Sequence, residues 1–244
     1  MNELLNEKLR EFKALGPAMP EARKWLEDSN LWMLLYTILC LRGVRVDKKT
    51  LVDVLSGRIM EDVDIDFYGF CHRVRDVYRG MISAREMQAT LNMRLLDSWY
   101  IDIFEPEGPV HRRDNAVVYD IGFIPCHYSE VSERLERLFK SMAQAEDGAL
   151  KAAEIQMGLI NIYPYGQDSI TMALLAAAYA LLQAGIPLPS YPVSEDEYSR
   201  LMGSCINDSN EEPFLSMHYR SLVNRLESVL QVWRQAASMA QESE

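Results

Sequence analysis

The chain has 244 residues, with 25 Lys and Arg against 36 Asp and Glu and 48% hydrophobic residues, so its formal net charge at pH 7 is −11. A chain of this length and apolar content can bury a sizeable core, which excludes intrinsic disorder, collagen-like repeats and small disulfide-stapled scaffolds. The acidic balance, without any basic block, argues against a nucleic-acid partner and against an anionic membrane surface, because both are bound through clustered Lys and Arg.

Helical periodicity dominates the chain, with apolar residues at three- and four-residue spacing and Gly or Pro where helices would end. Ser83 and Glu86 have the capping-box spacing, which predicts a helix start at Ser83. The uniformly apolar run Met172–Leu182 predicts a central buried helix. The predicted helices, in chain order, are 2–15, 21–41, 47–55, 66–78, 83–96, 129–144, 147–160, 169–184, 194–203 and 211–241.

Residues 99–128 differ in character, because several Pro and Gly residues oppose helix formation there. Two short β-prone pieces, Ala116–Tyr119 and Gly122–Ile124, predict a small β-hairpin within residues 116–125. The expected fold is therefore an all-α helical bundle with one hairpin. We expect a single domain over 1–244, with N-terminal helices in 1–60, a core in 61–205 and C-terminal helices in 206–244.

The cysteines and histidines show no metal-ligand spacing. The four cysteines form no Cys-x-x-Cys pair, which is typical of reduced core thiols in a cytoplasmic protein, and we expect no metal site. The N-terminal segment lacks the apolar core of a signal peptide, and the longest apolar runs, about 11 residues, are too short to span a membrane. We expect a cytoplasmic protein, with export as an effector without a cleaved signal left open. The residues concerned are Cys40, Cys71, Cys126, Cys205, His72, His111, His127 and His218.

Residues 160–189, INIYPYGQDSITMALLAAAYALLQAGIPLP, hold a Pro- and Gly-containing turn followed by the apolar helix, which Gly185 and Pro187 end. The amides of such a loop and helix start create an anion site if no negative or bulky side chain intrudes. Asp168 and Ser169 are natural N-cap residues for this helix.

This stretch resembles the signature of the Fic (filamentation, or Fido) family, HPFx[DE]GNGRxxR, with a helix and a Leu-Leu-x-Ala-Gly-x-Pro ending after it. Upstream, the segment Gly122, Phe123, Ile124, Pro125 is similar to the family's hairpin flap, which aligns a target polypeptide by strand-like pairing. Arg42 and Gly43 resemble the end of the family's inhibitory helix. The resemblance covers residues 34 to about 218. The positions aligned with the signature are Asn161, Ile162, Tyr163, Pro164, Tyr165, Gly166, Gln167, Asp168, Ser169, Ile170, Thr171 and Met172, of which Gly166 alone matches literally.

The resemblance implies transfer of AMP from ATP to a protein hydroxyl, with a His base, an acidic Mg²⁺ ligand, a phosphate-binding Gly-Asn-Gly turn and two Arg. Asn161 stands at the base position and has no proton affinity near neutral pH. Tyr165 stands at the metal position as a neutral phenol. Ser169 and Met172 replace the two arginines, and Asp168 places a negative charge beside the expected phosphates, which we expect to repel a triphosphate.

The inhibitory element has changed as well. In the family its Glu pairs with the second signature Arg, whereas Arg42 stands at the Glu position here and its expected partner is Met172. We therefore expect no regulatory ion pair between the two elements.

Our leading hypothesis is a catalytically degenerate Fic-fold protein, a pseudo-AMP-transferase that binds a protein or peptide. The ATP and Mg²⁺ of the family are not expected to bind, and a homo-oligomer is left open. One alternative is a Fic-family transferase with non-standard chemistry on a protein hydroxyl, using a recruited base such as His127. The other alternative is an unrelated all-α adaptor.

Overall fold

Two apolar helices, α7 (Gly148–Ile162) and α8 (Ser169–Gln183), form the centre of the fold in a computed structural model that describes residues 2–15, 20–58, 64–119, 121–191 and 194–241. Every residue from Thr171 to Leu182 is buried. A helix that is apolar on all sides is stable only when other elements surround it. The predicted central helix is confirmed.

The other helices surround this pair. On one side α10 packs against the first helix, where Phe12 stacks on Trp233 with ring centroids 4.7 Å apart. The sixth helix packs against α7, and the second, fourth and fifth against α8. These helices are α1 (Asn2–Leu15), α2 (Pro20–Leu41), α3 (Lys48–Leu55), α4 (Ile65–Glu86), α5 (Met93–Phe104), α6 (Val131–Met142), α9 (Glu195–Asn207) and α10 (Glu212–Gln241).

The predicted helix start at Ser83 is wrong. Helix α4 continues through Ser83, whose hydroxyl donates to the Arg79 carbonyl at 3.3 Å as it does inside a regular helix. The break comes at Gln88, which has a left-handed φ of 55°, and α5 begins after Asn92, whose side chain accepts from the Leu95 amide at 3.0 Å. The Ser-x-x-Glu spacing fits either a helix start or a helix interior. Here the packing of α4 selects the helix interior.

The predicted hairpin is reduced to its turn. In the described residues Val118 and Phe123 form one antiparallel bridge, with N···O distances of 3.0 and 3.2 Å, and Asp120 lies outside the described residues. Gly203 in α9 lets this turn pack closely, because a Cβ there would lie 2.1 Å from the Ile121 carbonyl oxygen. The hairpin is therefore a short anchored projection on an otherwise helical protein.

Helices α7, α9 and α10 share a buried polar network. The Gln156 amide is 2.7 Å from the Tyr198 hydroxyl and 2.9 Å from the Tyr191 hydroxyl, which is 2.8 Å from His218 Nδ1. His218 Nε2 lies 3.1 Å from the Ala149 carbonyl oxygen, which can only accept, so Nε2 carries a proton. Burial lowers the pKa of His218 to about 4, so the ring is neutral at pH 7.

This network predicts a loss of stability in mild acid. Below its ordinary pKa of 6.5 an unfolded His218 binds a proton, whereas the folded ring does so only near pH 4. The unfolded state therefore binds more protons between these values, and the free energy of unfolding should fall by about 3 kcal/mol as pH drops from 6.5 to 4.

Urea unfolding between pH 7 and pH 4.5 measures this effect. His218→Gln should be less stable at pH 7 but should show a flatter pH dependence across the same window. Equal slopes for the two proteins would contradict the assignment.

Candidate functional site

The loop between α7 and α8 is tightly built. Tyr163 ends α7 in a left-handed conformation with φ 56°, and its amide donates to the Leu159 carbonyl at 2.9 Å. Gly166, with φ 58°, opens a short 3-10 turn, Gly166–Asp168, that leads directly into α8. Tyr163, Pro164 and Tyr165 are buried, Gly166 is half-buried, and Gln167 is exposed.

Tyr165 points into the protein. Its hydroxyl donates to Asp97 Oδ1 at 2.6 Å, and its ring stacks on Tyr100 at 4.6 Å. His111 Nε2 lies 2.9 Å from the same Asp97 oxygen. Burial, together with the Asp97 charge, raises the pKa of Tyr165 well above its ordinary value, so the phenol stays neutral. The side chain at the aligned metal position is thus held by a partly buried carboxylate.

An ion pair ties the loop to the end of α2. Arg42 Nη1 lies 2.9 Å from Asp168 Oδ1 and 3.5 Å from the Thr171 hydroxyl. The guanidinium also lies over the rings of Phe70 and Phe104, at 5.2 and 5.6 Å from their centroids. Burial raises the pKa of Asp168, and the hydrogen bond and charge of Arg42 oppose that rise.

The contacts of Asp168 and Ser169 correct expectations about this loop. An ion pair between the inhibitory-helix position and the loop does exist, but its partner is Asp168 rather than Met172, which is fully buried in α8. The Asp168 charge is compensated by Arg42. Asp168 occupies the N-cap position without a capping side-chain bond, because its carboxylate is turned to Arg42. Ser169 does not cap either, since its hydroxyl accepts from the Tyr165 amide at 3.0 Å.

Arg112 is the residue that sequence reasoning missed. It precedes the hairpin, and its side chain donates to backbone carbonyls of both the loop and the segments that flank the hairpin. The acceptors are the carbonyl oxygens of Tyr163 at 2.9 Å, Ile162 at 3.3 Å, Cys126 and Asp114 at 2.8 Å. Its own amide donates to the Pro164 carbonyl at 2.9 Å. Arg112 therefore joins the hairpin segment to the loop, and no local sequence pattern signals this.

Asn161, at the aligned base position, is exposed and faces elsewhere. It lines a cavity of about 410 Å³ with Glu154, Ser209 and Glu211. Burial, with the nearby Glu211 carboxylate, raises the pKa of Glu154. Asn161 and Asp168 thus have different neighbours, although they lie in the same loop region of the sequence.

The hairpin presents apolar side chains to solvent. Val118, Phe123 and Pro125 are buried and anchor it, whereas Tyr119 is 86% and Ile124 75% exposed. Gly122 forms the turn with φ 73°. His127 Nδ1 lies 2.8 Å from the Ser129 hydroxyl and caps the short 3-10 turn Tyr128–Glu130.

Two features that bear on ligands and membranes concern the described ranges only. There, no three His, Cys, Asp or Glu side chains come together as a metal-binding set. No helix in those ranges combines the length and apolar character needed to cross a membrane.

Comparison with known proteins identifies the fold. No family sequence model and no curated protein matches the chain. Among solved structures, a Fic domain-containing signaling protein of Bacteroides thetaiotaomicron superposes with a TM-score of 0.80 at 14% identity, covering 95% of this chain and 98% of that one. Fic-1 of C. elegans gives 0.74 at 14% identity, covering 96% and 73% of the two chains. A Fic family protein of Desulfovibrio desulfuricans gives 0.72 at 12% identity, covering 94% and 73%.

At identities this low, the superpositions establish the fold alone, because activity depends on the residues of the site. The superpositions nevertheless extend over nearly the whole chain and include helices on both sides of the α7–α8 pair. The chain has the Fic fold.

Proposed function

We propose that this chain is a Fic-fold protein that has lost nucleotide transfer and acts by binding a protein or peptide. The observation that carries the proposal is the Arg42–Asp168 pair. It places an internal cation and a compensating carboxylate on the loop that would have to receive the phosphates of ATP.

The residues of the loop do not fit ATP and Mg²⁺. The Tyr165 hydroxyl is held by Asp97, and the Asp168 carboxylate by Arg42. Ser169 and Met172, at the two arginine positions, are both fully buried. The loop itself contains no Lys or Arg. Of the cations against it, Arg42 is paired with Asp168 and Arg112 donates to backbone carbonyls.

This conclusion does not depend on the alignment register. We infer that a register two residues later, with Tyr163-Pro164-Tyr165 on the family's His-Pro-Phe, is the better one, because buried Tyr165 packs in the core as a Phe would. The base, metal and two arginine positions then fall on Tyr163, Gln167, Thr171 and Leu174. Neither register supplies an imidazole base, an acidic metal ligand or an arginine.

The hairpin supports a binding role. The hairpin exposes Val117, Tyr119 and Ile124, and Tyr128 just after it is also exposed. Arg112 and the Val118–Phe123 bridge hold this segment in place. Exposed apolar groups on an anchored projection are typical of a protein-interaction surface. Extended peptides pair with such edges through main-chain hydrogen bonds.

The first prediction concerns the loop pair. Arg42→Ala and Asp168→Ala should each destabilise the protein, because either change leaves a partly buried charge without its partner. The Asp168 side chain is only 14% exposed, so the coupling energy in a double-mutant cycle should be about 1–2 kcal/mol. Urea unfolding of the four proteins measures it.

A matched control is the exposed pair Arg134 and Glu130, 2.8 Å apart on the protein surface. Its coupling should be only about 0.3–0.5 kcal/mol. Equal coupling in the two pairs would mean that the loop pair has no special structural role.

The second prediction concerns ATP. Isothermal titration with ATP and Mg²⁺ should detect no binding up to about millimolar concentration, since charged phosphates need cationic partners and the Arg42 cation beside the loop is already paired with Asp168. An assay with ATP labelled in the α-phosphate should show no transfer to protein. Magnesium-dependent AMP transfer that is abolished by Gln167→Ala would overturn the proposed loss of activity.

The third prediction concerns the hairpin. Peptides selected from a displayed random library against the whole protein should bind at least about tenfold more weakly to a Tyr119→Ser/Ile124→Ser variant, since removing two exposed apolar contacts costs about 1.4 kcal/mol or more. Fluorescence anisotropy with labelled peptides measures this. Ile65→Ser, at an 81% exposed position in α4, is the matched control and should leave affinity unchanged. Equal binding by the wild type and the hairpin variant would exclude the hairpin as the docking surface.

A further inference from the structure

A second concave site lies at the opposite end of α8 from the loop. Five helices contribute to a cleft of about 420 Å³, within the size range of small-molecule pockets. Since α8 has 15 residues, this cleft lies roughly 20 Å from the loop at the other end of the helix. It is a separate site, and neither the hairpin nor the loop contributes to it.

The walls of the cleft are mainly apolar. Phe12 and Trp233 form one wall as a stacked pair, and the end of α8 with the following turn forms another. The apolar lining residues are Phe12, Leu26, Leu182, Ile186, Pro187 and Trp233. Apolar walls of this kind favour a hydrophobic body in the ligand.

The rim of the cleft carries more positive than negative charge, although the whole chain is acidic. Lys13, Arg23 and Arg85 line it, together with Glu27 and Glu86. Arg85 lies 3.9 Å from both of these carboxylates. For Lys13 and Arg23, no carboxylate of the described chain lies within ion-pair distance. Two cations are therefore left to receive an anion.

Asn30 forms a polar wall of the cleft, and a buried arginine behind it adds positive potential. Asn30 is only 4% exposed, and its Oδ1 accepts from the Leu188 amide at 3.1 Å and from Arg225 at 3.3 Å. Arg225 is only 6% exposed. It also donates to the Ser29 hydroxyl, and its buried Nε has no hydrogen-bond partner. None of the carboxylates in the described ranges pairs with it. A buried cation that lacks a counter-ion is costly, and an anion in the adjoining cleft would reduce that cost.

We propose that this cleft binds a small amphipathic anion, an apolar body that carries one carboxylate. The body lies between Trp233 and the end of α8, and the carboxylate meets Lys13 and Arg23 at the rim. The potential of Arg225, behind Asn30, adds to the attraction.

Isothermal titration of the full chain with octanoate tests the proposal, with octanol and octylammonium as probes that share the same chain. Octanoate should bind at least about tenfold more tightly than either, and its affinity should fall as salt is added, because the charges involved are partly exposed. Equal affinity for the three probes, or no octanoate binding at millimolar concentration, would overturn the proposal.

Charge-reversal variants locate the site. Arg23→Glu and Lys13→Glu change exposed side chains and should leave the thermal unfolding midpoint nearly unchanged, yet each should weaken octanoate binding about tenfold. Lys24→Glu makes the same change one residue away, outside the cleft lining, and should have little effect. If all three variants lose the same affinity, or none does, octanoate does not bind in this cleft.

Discussion

The burial of α8 is the constraint on which the rest of the structure depends. Every residue of this helix from Thr171 to Leu182 is buried, so other helices must cover every face of that stretch. The Ala residues within this stretch allow the neighbours to approach closely. Both ends of the helix are consequently enclosed by other parts of the chain, the loop and α2 at its start and the five-helix cleft at its end.

Burial at the start of α8 explains why the loop is tied to its neighbours through polar contacts. Polar groups brought into a protein interior need partners. The Tyr165 hydroxyl donates to Asp97, and Arg42 donates to the Asp168 carboxylate. The Ser169 hydroxyl accepts a hydrogen bond from a loop amide. Arg112 donates to carbonyl groups of both the loop and the hairpin segment. In the proposed function, these contacts occupy the groups that nucleotide chemistry would require.

The two ends of α8 differ in whether the cations near them are already paired. At the loop, the cation Arg42 is paired and lies over two aromatic rings. At the cleft, Lys13 and Arg23 lie beside apolar walls, and a buried Arg225 stands behind the polar one. Since function depends on sites rather than on folds, a protein with the Fic fold can lose one binding surface while another part of the same bundle provides a different one.

Local sequence patterns predicted most of the helices within a few residues of their ends, because helical periodicity and helix breakers act over short distances. They failed at Ser83, where capping-box spacing also occurs within a continuous helix. The hairpin lies within the predicted residues, shortened to one bridge. By itself the sequence determined the helical class, the buried central helix and which residue types stand in the aligned loop. Only the tertiary structure decided how those residues are used. Arg42 and Asp168 are 126 positions apart, and Arg112 lies about 50 residues from the carbonyls it holds, so these contacts depend on how whole helices pack and not on any local pattern.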